Sequence, residues 1–76
     1  MSKKSIRSIA DNLEKIRKQK KYSLERVSKL SDLSLNTVAK IESGKNTNPT
    51  IDTLQKLASA LEVGVDDLIK PLNETN

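Results

Sequence analysis

Four side chains in one short stretch combine complementary kinds of chemistry: Leu35, Asn36, Thr37 and Lys40. An asparagine amide donates and accepts at once, and a lysine ammonium neutralises phosphate or donates to a base. A threonine joins a hydroxyl to a methyl group, and a leucine offers apolar contact alone. Within SLNTVAKIESGK, residues 34–45, Val38 and Ile41 lie three apart and give a short helix a buried side. The other four then face out near its N-terminal end. Hydrogen bonding, contact with a thymine methyl and neutralisation of phosphate are the chemistry of a helix that reads base edges in double-stranded DNA.

A helix of about three turns does not hold itself together in water, so other elements must carry it. Ser34 is a good N-cap for it, and Gly44 offers the left-handed backbone that ends helices. Upstream, Ile6, Ile9, Leu13 and Ile16, with Ala10 alongside, form a helical stripe, so a first helix runs from Ile6 to about Lys20. Asp11 and Lys15, and Glu14 and Lys18, are acid-before-base pairs on its exposed face. Ser23 caps a second helix whose inner face is Leu24, Val27 and Leu30. Only Ser31-Asp32-Leu33 separates it from the third helix. Two short helices joined so tightly must cross at a large angle, which makes residues 23–44 a helix-turn-helix unit with Leu33 as a plug beneath it.

Downstream, Asn46-Thr47-Asn48-Pro49 is a loop. Thr50 caps a fourth helix carrying Ile51, Leu54, Leu57, Ala58 and Leu61 on one stripe, and Glu62-Val63-Gly64 ends it. Val65–Ile69 forms a last short helix, stopped before Pro71, with Asp66 and Asp67 near its start. The expected fold is all-α, about five helices around one small core. That core holds Ile9, Leu13, Ile16, Val27, Leu30, Leu33, Val38, Ile41, Ile51, Leu54, Leu57, Leu61, Val65 and Leu68. A basic arm (1–5), one domain (6–70) and a short tail (71–76) are the expected divisions, with no second domain to sense a ligand.

Composition narrows the function. The 76 residues contain no cysteine and no histidine, which argues against a disulfide framework, a Cys/His metal site and His-based catalysis. The adjacent acids Asp66 and Asp67 are ordinary for a helix start, so no metal and no cofactor is expected. Tyr22 is the only aromatic residue, which weakens any reading based on bases stacking on rings. No apolar run approaches a membrane span, and a cytoplasmic protein is expected. Charge is uneven. Residues 1–45 carry twelve Lys/Arg against five acids, whereas residues 46–76 carry two against five. The basic part contains the base-reading helix, as a polyanionic partner requires.

The run SLERVSKLSDLSLNTVAKIESGKNTNPTIDTLQKLASALEV resembles the Cro/C1-type (Xre) helix-turn-helix family, which includes the lambdoid phage repressors. The similarity covers about Leu13 to Leu68 and rests on three pieces in order: LSLNTVAKIESGK, NPTIDTLQKLASAL and VGVDDLI. It implies a lambda-repressor-like DNA-binding fold. By the family pattern, Arg17 and Glu42 match a partly buried ion pair that orients the third helix. Leu35, Asn36 and Lys40, with Thr37 nearby, match positions that meet base edges. Ser23 and the amides opening the second helix match phosphate contacts, and Lys45, Asn46 and Thr47 match a loop that grips the backbone. Three departures stand out. Leu24 replaces a glutamine that reaches phosphate, leaving its backbone amide or Lys21 to do so, and an exposed Leu24 beside Leu35 would suit an apolar contact with DNA or protein. Ser28 replaces a small alanine, and its hydroxyl is expected to bond the carbonyl one turn back. Asp32 replaces the turn glycine, and aspartate tolerates positive φ.

The expected function is a sequence-specific DNA-binding transcriptional regulator. It would bind a palindromic operator as a homodimer through Val63, Val65, Ile69 and Leu72. Repression by occluding RNA polymerase is the simplest mechanism; activation by touching polymerase uses the same fold. The alternative is a protein-interaction module of the same fold, an antitoxin or modulator of another regulator, with weak DNA binding. The exposed leucines favour that alternative. No nucleophile–base pair, phosphate loop or metal cluster supports an enzyme, and neither a membrane nor a small-molecule ligand is expected.

Overall fold

The structure is a computed structural model that describes residues 8–70. Five helices follow in order: α1 (Ser8–Gln19), α2 (Leu24–Ser31), α3 (Leu35–Glu42), α4 (Ile51–Leu61) and α5 (Val65–Ile69). The arm, Ile6, Leu72 and the rest of the tail lie outside the described residues.

Polar side chains set three of the helix starts. Ser23, Ser34 and Thr50 each sit in extended backbone and accept the amide of the residue three ahead, Arg26, Thr37 and Thr53 respectively. Each bond satisfies one of the free donors at a helix start. At the start of α5 the direction reverses: the Asp67 carboxylate accepts the Gly64 amide at 3.0 Å. That bond and the Lys70 ammonium hold the Asp67 carboxyl below its usual range.

Three helices end alike, and none of them uses glycine. Lys21, Asp32 and Glu62 take left-handed backbone, with φ of 61°, 64° and 60°. After each, the chain folds back so that the next amide reaches a carbonyl five residues earlier: Tyr22 to Arg17, Leu33 to Ser28, and Val63 to Ala58. In each case that next side chain is apolar and packs against the core, the contact that accompanies this kind of helix end. Gly64, which the sequence placed at the end of α4, has an ordinary φ of −88° and opens α5 instead. Among the described residues only Gly44 is a glycine with positive φ, at 87°, just past α3.

α1 packs against α3 and α5, α2 against α3 and α4, and α4 against α5. The space between them is filled by Leu13, Val27, Val38, Ile41, Leu54, Leu57, Ala58, Leu61 and Leu68, with Ile9, Ile16, Leu33 and Val65 partly buried around them. Two residues expected in the core are outside it: Leu30 is 45% exposed and Ile51 64%. Ile51 begins α4 and Leu30 lies one residue from the end of α2. Helical period gives a side chain its direction around the axis, but not a neighbour at that height.

Two polar residues lie inside: Ser31, whose hydroxyl donates to the Ser28 carbonyl at 3.3 Å, and Asn12. Asn12 is 5% exposed, and its amide donates to the carbonyls of Leu68 (2.8 Å) and Lys70 (2.9 Å). It thereby satisfies the last carbonyls of α5 and ties that five-residue helix to α1.

Candidate nucleic-acid interface

α3 is anchored from below. Val38 and Ile41 are wholly buried, while Asn36 and Lys40 are exposed and Leu35 is 43% exposed. Three of the four candidate base readers therefore stand in solvent on a helix whose opposite side is locked in the core. Thr37 differs: it is half-buried, and its hydroxyl accepts from the Ser34 hydroxyl at 2.8 Å while the Ser34 oxygen takes the Thr37 amide at 3.0 Å. Thr37 is thus committed to the cap and keeps only its hydroxyl hydrogen and methyl for a ligand.

Arg17 and Glu42 tie the end of α3 to α1. The guanidinium of Arg17 donates to both carboxylate oxygens, Nε to Oε1 at 2.7 Å and the second nitrogen to Oε2 at 2.6 Å. Its remaining nitrogen donates to the Tyr22 carbonyl at 2.8 Å. The side chains are 13% and 12% exposed. The hydrogen bond to Glu42 raises the Arg17 pKa further above its usual value, against the opposing effect of burial. The pair joins α1, the turn before α2 and the end of α3 in one fork-to-carboxylate contact.

The turn between α2 and α3 is clasped twice. The Leu33 amide donates to the Ser28 carbonyl at 3.2 Å, and the Ser28 hydroxyl donates to the Leu33 carbonyl at 2.6 Å. The Ser28 hydroxyl therefore reaches forward into the turn, not one turn back as expected, because the left-handed Asp32 swings the Leu33 carbonyl into range. Leu24 also departs from expectation. It is half-buried and packs against the core, lining a shallow depression with Glu14, Ala39, Glu42 and Ser43. Its apolar bulk sits beside the ion pair, and its exposure no longer favours a protein partner. Leu35 alone retains that character.

The flanking candidates divide in two groups. On one side, Lys21 and Ser23 are exposed at the start of α2. There the Ser23 hydroxyl and carbonyl take the Arg26 and Val27 amides, which leaves those of Leu24 and Glu25 without a partner in the helix. On the other side, Lys45 and Thr47 are exposed and Asn46 is half-buried. The Asn46 amide donates to the Lys40 carbonyl and its side-chain oxygen accepts the Asn48 amide, both at 3.0 Å. These bonds fold the loop back onto the end of α3. Of the C-terminal apolar residues, Val63 and Val65 pack on the core and Ile69 is 48% exposed.

A capped helix held by its apolar side after a tight turn, with polar side chains outward and cations on both flanks, defines a helix-turn-helix DNA-binding domain. The helix-turn-helix family profile matches residues 13–68, and the chain belongs to that family, in its Cro/C1-type (Xre) branch. It is 31% identical over 67 residues to the HTH-type transcriptional regulator SinR of Bacillus subtilis, covering 88% of this chain and 60% of that one. It is 34% identical over 67 residues to the uncharacterized HTH-type transcriptional regulator y4dJ of Sinorhizobium fredii, covering 88% and 86%. The chain thus spans about 60% of the length of SinR. Among solved structures, the N-terminal DNA-binding domain of Bacillus subtilis SinR superposes with a TM-score of 0.83 at 29% identity, covering 90% of this chain and 99% of that one. The restriction-modification controller protein C.AhdI of Aeromonas hydrophila gives 0.78 at 28%, covering 83% and 94%. Among the described residues, no helix is long and apolar enough to cross a membrane.

Proposed function

We propose that this chain is a transcriptional regulator that binds double-stranded DNA sequence-specifically, as a homodimer on a roughly palindromic operator. The observation that carries the reading is the outward set Leu35, Asn36 and Lys40 on a helix whose Val38 and Ile41 are wholly buried. Asn36 is suited to adenine N6/N7, Lys40 to guanine O6/N7 and Leu35 to a thymine methyl, with Thr37 in support. Lys21, Ser23 and the Leu24 amide hold phosphates before α3, and Lys45, Asn46 and Thr47 hold them after it. Residues 6–70 form the working domain, between the basic arm and the tail.

One short helix reads only a few base pairs. A second copy, placing its own helix about 34–36 Å away, doubles the site and makes it two-fold symmetric. Val63, Val65 and Ile69 are the proposed contact between copies, together with Leu72, which lies outside the described residues. Occupancy of such a site excludes RNA polymerase, so repression is the simplest consequence. The test is a titration of labelled duplex with the purified chain over a range of salt. Binding dominated by phosphates falls steeply, log K decreasing linearly with log salt. Absent or salt-indifferent binding would contradict the proposal and favour a protein partner docking on Leu35.

A further inference from the structure

A hollow of about 390 Å³ opens before α2, lined by Lys20, Lys21, Tyr22, Ser23 and Arg26. Three of its five residues are cations and none is acidic. The Arg26 guanidinium lies over the Tyr22 ring, 5.6 Å from the centroid. Lys20 makes only a long contact of 3.7 Å with the exposed carboxylate of Glu62. Among the described residues, Arg26 and Lys21 enter no ion pair, as is true also of Lys15, Lys29, Lys40 and Lys45, so both cations of the hollow are available to an anion.

We propose that Arg26, held on the Tyr22 ring beside Lys20 and Lys21, is a phosphate-binding residue that grips the DNA backbone beside the bases read by α3. This rests on the DNA-binding reading and adds a contact to it.

Crowded cations without acids raise the local positive potential and draw an anion in. The planar guanidinium is the side chain best matched to phosphate oxygens, because two of its N–H groups can bond at once. Stacking on an aromatic ring restricts that guanidinium before the ligand arrives, so less freedom is lost on binding. Tyr22 is itself fixed, packing against the core and accepting Arg17 at its carbonyl. The hollow therefore stands on the same ion pair that positions α3.

The experiment compares the full chain with Arg26→Ala, Arg26→Lys and Tyr22→Leu, titrating a duplex that carries the preferred site and a scrambled duplex at several salt concentrations. Arg26→Ala is expected to weaken binding to both duplexes about tenfold and to reduce the salt slope by about one. Arg26→Lys keeps the charge, so the slope is restored while affinity recovers only in part. Tyr22→Leu removes the ring but not the charge, so it keeps the slope and loses affinity. Arg26 is exposed, and its replacement leaves the thermal midpoint unchanged. Affinity and slope unaltered in Arg26→Ala, with the parent chain binding normally, overturn this assignment alone. Failure of the parent chain to bind either duplex overturns the DNA reading itself.

Discussion

Arg17 and Glu42, 25 residues apart, meet through two short parallel hydrogen bonds with both side chains nearly out of solvent. Removing one partner strands the other charge in a poorly solvated place, which costs more than the intact pair contributes. The pair is not fully buried, so Glu42→Ala is expected to cost about 2–4 kcal/mol. For a domain of this size that lowers the thermal midpoint by about 10–20 °C. The paired replacement Arg17→Met with Glu42→Leu should recover much of the loss. Thermal unfolding by circular dichroism decides; an unaltered midpoint in Glu42→Ala means the pair does not brace α3.

Asn12 is a second internal tie. Asn12→Ala leaves the carbonyls of Leu68 and Lys70 without their donor and opens a gap between α1 and α5. The expected loss is about 1–3 kcal/mol. It should be felt first at α5, whose amides exchange faster with deuterium than those of α4. Uniform acceleration across the domain would show that α5 is not held separately by this side chain.

Backbone hand gives three helix-end positions different expected responses to substitution. Gly44 has φ of 87°, so Gly44→Ala should cost about 1 kcal/mol. At Gly64, where φ is −88°, an added Cβ crowds the carboxylate end of Asp66, at 2.6 Å, and makes ordinary contact with the Asp67 carboxylate, at 3.7 Å. The Asp66 side chain can turn away, and Gly64→Ala should be nearly neutral. Glu62, left-handed without being glycine, is expected to gain a few tenths of a kcal/mol or more on replacement by glycine. Urea denaturation of the three variants checks the order.

On the recognition face, Asn36→Ala combined with Lys40→Ala should abolish preference for the operator and leave residual, salt-sensitive binding. Each lost base contact is worth about 1–3 kcal/mol of discrimination. Lys45→Ala should instead weaken binding evenly across sequences and lower the salt slope by about one. Competition titrations with specific and scrambled duplexes separate the two behaviours. Retained preference in the double variant would place the reading face elsewhere.

Much of the architecture was legible where one residue type answers one backbone requirement. Ser23, Ser34 and Thr50 announce helix starts because only short side chains with an acceptor oxygen reach the third amide. Gly44 and Asp32 announce left-handed backbone for a similar reason. Lys21 and Glu62 do not, since nothing in either side chain favours positive φ. What does mark their helix ends is the apolar residue that follows, Tyr22 or Val63, tucked against the core. Leu30 and Ile51 were misplaced because a stripe continues past the point where the partner helix stops. Leu24 keeps to the inner face of α2 that its spacing gives it, and is not exposed beside Leu35 because Ala39 and Glu42, from another helix, lie beside it. Asn12 lies three residues after Ile9 and four before Ile16. A polar side chain inside an apolar stripe needs a buried partner, and here that partner is the end of α5. The hollow around Arg26 has no sequence signature: it forms only when the backbone turns at Lys21 and sets the Tyr22 ring beneath the guanidinium.

The central claim is that α3 reads DNA and that two copies read it together. Selection of a random duplex library on the purified chain, at moderate and at high salt, tests this most directly. Recovery of a two-fold symmetric site with half-sites one helical turn apart is the expected result. Recovery of no sequence, or only of salt-sensitive, sequence-blind binding, would contradict the claim.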